Sequence, residues 1–137
     1  MQILPKSEPN EGPTDWFTGK VVITPLKAVS DNSKLSMSSV HFEAGARAAW
    51  HSHPCGQTLF VTDGIGVVQK RGEPIQIIRP GDVIWTEPGE EHWHGATSGQ
   101  SMTHLAIQEV DEQGNFADWQ EHVTDEEYSQ QPEVGQA

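Results

Sequence analysis

The sequence predicts an all-β fold, either a small barrel or a sandwich, in a single domain. Short apolar runs separated by Gly, Pro, Asn and Asp recur from Trp16 onward at the interval typical of such folds. No helical periodicity is visible before Asp118. The chain has 137 residues, which is enough for one domain to build its own core without stabilising disulfides.

Seven segments have the composition of β-strands. They are residues 21–26, 35–42, 58–62, 67–70, 75–78, 83–86 and 102–108. Asp63-Gly64 and Gly72-Glu73 predict hairpin turns, and the Arg-Pro-Gly-Asp sequence at 79–82 predicts a tight turn. Thr124, which precedes three acidic residues, is placed to cap one short helix.

The two ends of the chain differ in composition from its middle. Residues 1–15 include three prolines together with Asn10 and Gly12, and we expect them to form an extended or mobile arm. The folded domain is predicted over residues 16–128. Residues 129–137 are predicted to be a disordered tail.

Charge and cysteine content exclude several classes of partner. The formal net charge of −12 argues against binding to nucleic acid or to an anionic membrane surface. The single cysteine, Cys55, cannot form an internal disulfide and fits a reducing compartment. The chain contains no apolar run long enough to cross a bilayer and no hydrophobic signal core near its start. A cytoplasmic protein is the simplest expectation.

Three histidines and a glutamine have the spacing of a metal site. In an extended segment His51 and His53 project from the same face, because side chains alternate along a strand. The Pro-Cys-Gly sequence at 54–56 turns the chain, so that Gln57 can direct its amide oxygen to the same point. His92 must then arrive from a distant strand.

The predicted ligands are all neutral, which bears on the chemistry of the bound ion. A divalent cation held by three imidazoles and a carboxamide keeps its full +2 charge, so it should bind small anions and acidify bound water or alcohol. Four protein ligands leave two positions of an octahedral ion open. Mixed nitrogen and oxygen donors without thiolate suit Mn²⁺, Fe²⁺, Ni²⁺ or Zn²⁺, and ligand type alone does not choose among them.

Two further histidines are candidates for proton transfer. His94 shares the face of His92 in an extended segment, and His104 lies on the face of its strand opposite Leu105 and Ile107. A neutral imidazole beside a dication has a lowered pKa and can accept a proton at neutral pH. The alternative is that either ring only hydrogen-bonds a metal ligand.

The remaining histidines and the tryptophans are interpreted more simply. We expect His41 and His122 to be surface or structural residues, and most of the five tryptophans to be structural. Trp50 and Trp93 flank predicted ligands and are candidates for the wall of the site.

Glycines frame the predicted ligands in two motifs. One runs from Gly45 through the first three ligands to Gly64, and the other runs from Gly81 through Gly89 to His92. The two motifs resemble the paired motifs of the cupin superfamily, in which a small antiparallel β-barrel, or jelly roll, carries a metal in its mouth. The departures are Gln57 in the place usually held by Glu, a proline displaced to Pro88, and Ala96 in the place of a frequent Asn.

A closer resemblance extends from about Trp16 to Tyr128. Residues 15–19, 50–54, 56–59, 88–95 and 102–108 resemble the bacterial manganese cupins that act as (R)-selective mandelonitrile (hydroxynitrile) lyases. The resemblance implies a homodimer that binds Mn²⁺ through His51, His53, Gln57 and His92. It also implies His94 and His104 as catalytic residues and a substrate pocket lined by Ser38, Val40 and Gln108.

These observations predict a metal-dependent lyase that cleaves cyanohydrins such as mandelonitrile, or forms them from an aldehyde and cyanide. Ser38 departs from the small apolar residue that would better suit an aryl ring. Two alternatives remain at this point. One is a cupin oxygenase that uses Fe²⁺ or Mn²⁺, and the other is a cupin that binds a small molecule without catalysis.

Overall fold

The computed structural model describes residues 1–135, which form thirteen β-strands and one short helix. The strands are Asn10–Glu11 (β1), Phe17–Thr18 (β2), Val21–Lys27 (β3), Leu35–Phe42 (β4), Arg47–Ala48 (β5), His51–Ser52 (β6), Gln57–Gly64 (β7), Gly66–Lys70 (β8), Gln76–Ile78 (β9), Val83–Thr86 (β10), His92–Ala96 (β11), Met102–Glu109 (β12) and Asp118–Trp119 (β13). The helix is Asp125–Tyr128 (α1). The predicted all-β class is therefore confirmed.

The strands form two antiparallel sheets. One sheet has six strands in the order β1-β3-β4-β12-β7-β10. The other has seven strands and follows the path β13-β6-β11-β5-β2, with β8 pairing both β11 and β9. Each of the seven predicted strands corresponds to one of the observed strands. The composition of the sequence did not predict the other six, which are β1, β2, β5, β6, β11 and β13.

One predicted hairpin is wrong. Asp63-Gly64 does not join paired strands, because β7 pairs with β10 and β12, whereas β8 pairs with β9 and β11. The chain instead passes from one sheet to the other here. Gly64 has φ of 77°, and a Cβ at this position would lie 2.0 Å from the carbonyl oxygen of Ser101. Glycine thus permits a close approach of two backbone segments, which a hairpin turn does not require.

The other local predictions are confirmed. β8 and β9 form a hairpin around Gly72-Glu73, and the amide of Asp82 donates to the carbonyl of Arg79 at 3.0 Å to close the tight turn. Thr124 caps α1 with a full capping box, in which its side chain accepts from the amide of Glu127.

The main hydrophobic core lies between the two sheets. Phe42, Leu59 and Met102 contribute from the six-stranded sheet, and Val68 and Ala96 contribute from the seven-stranded sheet. Burial of a large apolar side chain contributes about 1.5–3 kcal/mol, so this layer supplies much of the free energy that holds the sheets together.

A second, smaller core covers the outer face of the seven-stranded sheet. Trp50 and Trp93 pack there with Val123 and Tyr128 from the C-terminal segment. The hydroxyl of Tyr128 donates to the carbonyl of Ala96 at 2.5 Å, which fixes that segment to β11. This face is opposite the one that carries His51 and His92.

The ends of the chain contribute little to either core. Residues 1–9 have no regular secondary structure, while β1 within the predicted arm pairs with β3. The predicted disorder of residues 129–137 stays a prediction. Residues 136 and 137 of this segment lie outside the described range. Between residues 1 and 135 the structure contains no helix with the length and apolar character needed to cross a membrane.

Candidate metal centre

Three of the predicted ligands come together at one point. His51 lies on β6 directly opposite His92 on β11, and His53 follows His51 by two residues. Each of the three rings offers one nitrogen, and these nitrogens lie within 4.8 Å of one another. All three residues are buried. The alternation of side chains along the β6 segment thus produces the shared direction that the sequence predicted.

Backbone carbonyls orient the three rings. Nδ1 of His51 lies 2.7 Å from the carbonyl oxygen of Ala49. Nδ1 of His53 lies 2.8 Å from the carbonyl oxygen of Phe116, and Nδ1 of His92 lies 2.9 Å from the carbonyl oxygen of Glu90. Each Nδ1–H therefore donates to the main chain, which leaves the Nε2 lone pair free. Nε2 of His53 and Nε2 of His92 are buried without a hydrogen-bond partner within the described part of the chain.

Gln57 follows a tight turn and lines the same cavity as His51 and His53. The amide of Gly56 donates to the carbonyl of His53 at 3.2 Å, which closes the turn and places Gln57 at the start of β7. Nε2 of Gln57 donates to Oε1 of Gln108 at 2.8 Å. Its own Oε1 atom is buried and makes no hydrogen bond to the residues described.

The environment keeps the histidine rings neutral. Burial lowers the pKa of His53 to about 4, against a smaller opposing effect of the hydrogen bond to the Phe116 carbonyl. Burial, followed by the proximity of His92 and His53, lowers the pKa of His51 well below its usual value. Burial also lowers the pKa of His92. Neutral imidazoles are the form that binds metal.

These observations fit a divalent cation. Buried polar atoms normally have partners, and unpartnered ones are costly. Here histidine nitrogens gather at one point, and the unpartnered amide oxygen of Gln57 belongs to the same cavity. Nitrogen and oxygen donors of these types suit divalent metals. The site is therefore compatible with a divalent metal, and its donors do not single out one ion.

The two other predicted histidines form a buried pair. Nε2 of His104 and Nδ1 of His94 are joined by a hydrogen bond of 3.0 Å. The ring centroid of His94 lies 5.2 Å from that of His51, so the pair adjoins the three-histidine cluster. Phe42 packs against both rings of the pair. The remaining nitrogens, Nε2 of His94 and Nδ1 of His104, have no partner among residues 1–135.

Burial also controls the protonation of this pair. It lowers the pKa of His104 to about 4. The pKa of His94 is well below its usual value, first through burial and then through the proximity of His104. Both rings are neutral near pH 7, so one can donate in the shared hydrogen bond while the other accepts.

A cavity of about 410 Å³ opens beside these residues. Ser38, Val40 and Gln108 line it together with His94 and His104. The cavity walls are largely apolar, with a few polar groups at the histidine end. The role of Ser38, Val40 and Gln108 in binding a substrate stays a prediction.

The aromatic wall of the cavity was not predicted from the sequence. Trp119 stacks on His51 with ring centroids 4.5 Å apart, and Trp16 stacks on Trp119 at 4.9 Å. The expectation that Trp50 and Trp93 form this wall is wrong, because both belong to the outer core. Each is adjacent in sequence to a buried histidine, and alternation directs its side chain to the opposite face.

His41 and His122 lie outside the cavity, as expected. His41 is partly exposed and contacts Thr103 and Glu43, whereas His122 is exposed.

Comparison with known proteins identifies the family. A cupin-domain family profile matches residues 38–108, the range that contains every predicted site residue. An (R)-mandelonitrile lyase from Granulicella tundricola is 56% identical over 118 residues, which cover 86% of this chain and 89% of that protein. The chain belongs to the cupin family.

Solved structures support the cupin fold. A cupin-like protein from Thermotoga maritima matches with a TM-score of 0.81 and 38% identity, covering 96% of this chain and 98% of that chain. A cupin 2 conserved barrel domain protein from Rhodopseudomonas palustris matches with a TM-score of 0.67 and 18% identity, covering 81% of this chain and 74% of that chain. The predicted single-domain cupin barrel is therefore confirmed.

Proposed function

We propose that this cupin is a metal-dependent carbon–carbon lyase that cleaves cyanohydrins such as mandelonitrile and catalyses the reverse addition of cyanide to an aldehyde. One observation carries the proposal: a cluster of neutral metal donors and a buried histidine pair adjoin the same largely apolar cavity. The similarity to a mandelonitrile lyase supports this choice of reaction.

His51, His53, Gln57 and His92 would hold the metal, and we propose Mn²⁺ as the ion. The orphaned buried donors support this ligand set. When bound, a divalent cation supplies an uncancelled positive charge that attracts a small anion such as cyanide. Because the four side chains are neutral, they do not reduce the positive charge that attracts the anion.

His104, with His94, is proposed to move the proton. His104 accepts the proton of the cyanohydrin hydroxyl while the bond between the carbinol carbon and the nitrile carbon breaks. The electron pair of that bond leaves with cyanide, and the hydroxyl oxygen becomes the carbonyl oxygen of the aldehyde. Because their pKa values are lowered, both rings are neutral imidazoles before the reaction. The hydrogen bond between the two rings stabilises the imidazolium that forms.

The rest of the cavity would bind the organic part of the substrate. Val40 and Ala106 offer apolar contact on one wall, and Phe116 and Trp119 offer aromatic contact on another. Ser38, the register partner of Ala106, adds a hydroxyl to the first of these walls. The cavity thus suits an aryl or alkyl aldehyde of modest size.

An assay on protein of defined metal content tests the proposal. Metal-free protein and the same protein loaded with Mn²⁺ should be incubated with mandelonitrile, and the release of benzaldehyde followed. We expect cleavage by the loaded protein and little by the metal-free protein. No cleavage by either sample would refute the proposed function, and consumption of oxygen during turnover would favour an oxygenase instead.

We also propose that the protein is a cytoplasmic homodimer. The edge strand β10 exposes Val83 and Trp85 to 65% and 52%, and Val83 pairs with Phe60 on β7 to extend an outward apolar surface. Such edges and patches are commonly covered by a second subunit. The lone free thiol of Cys55 supports a reducing compartment.

A further inference from the structure

The amide of Gln57 has two chemically different ends, and only one of them binds a cation. Oε1 is an acceptor with lone pairs, whereas the Nε2 group is a donor of two hydrogens. A carboxylate has no such asymmetry, because both of its oxygens can bind a metal. A glutamine ligand therefore needs a neighbour that fixes which end faces the three histidines.

A row of three side chains on adjacent strands provides this neighbour. Ser36 on β4, Gln108 on β12 and Gln57 on β7 are direct register partners. Nε2 of Gln57 donates to Oε1 of Gln108 at 2.8 Å, and Nε2 of Gln108 donates to Oγ of Ser36 at 3.3 Å. The hydroxyl of Ser36 donates to the main-chain oxygen of Gln108 at 3.4 Å.

The hydrogen bonds between side chains in this row run in one direction, from Gln57 through Gln108 to Ser36. Because Ser36 uses its hydroxyl hydrogen on the main chain, it accepts from Gln108 and holds the Gln108 amide with its oxygen toward β7. That oxygen accepts only from the nitrogen end of Gln57. Oε1 of Gln57 is consequently turned the other way, where it lies buried without a partner.

Resting on the metal site of the proposed function, we propose that Gln108 and Ser36 are positioning residues for Gln57. They hold its oxygen toward the nitrogens of His51, His53 and His92 before a cation arrives. Without them the amide is free to rotate and presents its donor end to the ion for part of the time. The affinity for the cation falls accordingly.

Titration of Mn²⁺ into the metal-free full-length protein, followed by calorimetry, tests this role. Gln108→Met keeps the length of the side chain and removes both hydrogen bonds. Loss of a residue that orients a ligand typically lowers metal affinity about 10–100-fold, and we expect a loss in this range. Gln108→Glu keeps an acceptor for Nε2 of Gln57 and adds a negative charge near the ion, so this variant should bind Mn²⁺ at least as tightly as the parent. Ser36→Ala removes only the last link and should cause a smaller loss.

A double-mutant cycle separates orientation from a general loosening of the cavity. In a Gln57→Glu background both oxygens at position 57 can bind, so Gln108→Met should cost little or no affinity there. An equal loss in both backgrounds would overturn the proposal. Ser38→Ala is the matched control, since Ser38 lines the same cavity on β4 but makes no side-chain hydrogen bond to a described residue. Its Mn²⁺ affinity should equal that of the parent.

The outcome is independent of turnover. If the parent binds Mn²⁺ but cleaves no mandelonitrile, the proposed reaction fails while the positioning role can still be upheld by the cycle. If the parent cleaves mandelonitrile and neither Gln108→Met nor Ser36→Ala weakens Mn²⁺ binding, the positioning role fails and the reaction stands. A parent protein that binds no Mn²⁺ would contradict both the proposed reaction and the positioning role.

Discussion

At the scale of single residues, Gln57 sets the charge of the proposed metal centre. With a glutamine at this position all four donors are neutral, and a bound divalent ion keeps its full charge. Gln57→Glu should therefore hold Mn²⁺ at least as tightly but bind a small anion more weakly. Calorimetry with Mn²⁺, followed by titration of azide into the loaded protein, measures both quantities. Unchanged azide affinity in the variant would contradict the role assigned to the neutral ligand.

His104 provides a second prediction at this scale. Its ring is fully buried, adjoins the proposed metal centre through His94 and lines the cavity. His104→Ala should retain Mn²⁺ and lose about 10²–10⁴-fold in kcat/KM for mandelonitrile, the usual effect of removing a general base. Steady-state kinetics with metal analysis of the same sample measures this.

The exposed His122 supplies the matched control, because it lies outside the cavity. His122→Ala should cleave mandelonitrile at the parent rate. If His104→Ala also keeps its metal and the parent rate, His104 takes no part in the reaction.

At the scale of secondary-structure elements, length decided what the sequence could predict. Strands such as Leu35–Phe42 and Met102–Glu109 are long enough to show apolar alternation, and they were predicted. His51–Ser52 is only two residues long, which is too short for any period to be visible. The geometry of the metal site placed His92 on a strand, but His92–Ala96 was not among the strands predicted from composition. Its inward side chains include two histidines, so its core-facing side does not look apolar.

The candidate site was predictable where it depends on local geometry and not where it depends on distant segments. The common face of His51 and His53 follows from alternation alone. The stacking of Trp16 and Trp119 over His51 joins segments far apart in the sequence, so no local sequence pattern predicts it. The hydrogen bond between Gln57 and Gln108 likewise depends on the register of β7 against β12.

The turn between His53 and Gln57 gives a prediction at this scale. Gly56 has φ of 75°, and a Cβ there would lie 2.4 Å from the ring of Trp85 and 2.7 Å from the carbonyl oxygen of Thr86. Gly56→Ala should displace Gln57, lower the free energy of unfolding and weaken Mn²⁺ binding. Gly72 is the matched control, because it has φ of 88° and nothing within 4 Å of the position of a Cβ.

Gly72→Ala carries only the cost of the left-handed backbone conformation, about 1–2 kcal/mol. Urea unfolding of the metal-free proteins compares the two variants, and Mn²⁺ titration shows which of them alters the site. Equal losses of stability, together with parent-like Mn²⁺ affinity in both, would mean that the contacts of Gly56 do not shape the turn.

At the scale of the whole molecule, the net charge of −12 opposes association of two copies unless the contact surface is uncharged. The outward surface of Val83, Trp85 and Phe60 meets that condition, and Leu105 extends it as the register partner of Phe60. Val83→Lys should therefore shift the proposed dimer toward monomer in sedimentation at micromolar concentration. Gln113→Lys adds the same charge at another exposed position and should not shift it. A parent protein that sediments as a monomer would contradict the proposal of a dimer.

The dependence of stability on pH is also a property of the whole molecule. Burial lowers the pKa values of His53 and His104 from 6.5 to about 4 in the metal-free protein. Between these values the unfolded chain binds more protons than the folded protein, so stability rises with pH in this window. The contribution of these histidines is fully present above about pH 6.5 and is lost as the pH falls toward 4.

Urea unfolding of metal-free protein at a series of pH values measures this loss. Because protons also compete with the ion for the same nitrogens, the stabilisation by Mn²⁺ should decline over the same range. His104→Gln removes one of the buried histidines with a lowered pKa and should make the pH dependence less steep. His122→Gln changes an exposed ring and should leave the pH dependence unchanged. A parent whose metal-free stability stays constant from pH 6.5 to 4 would show that the folded protein does not hold these rings neutral.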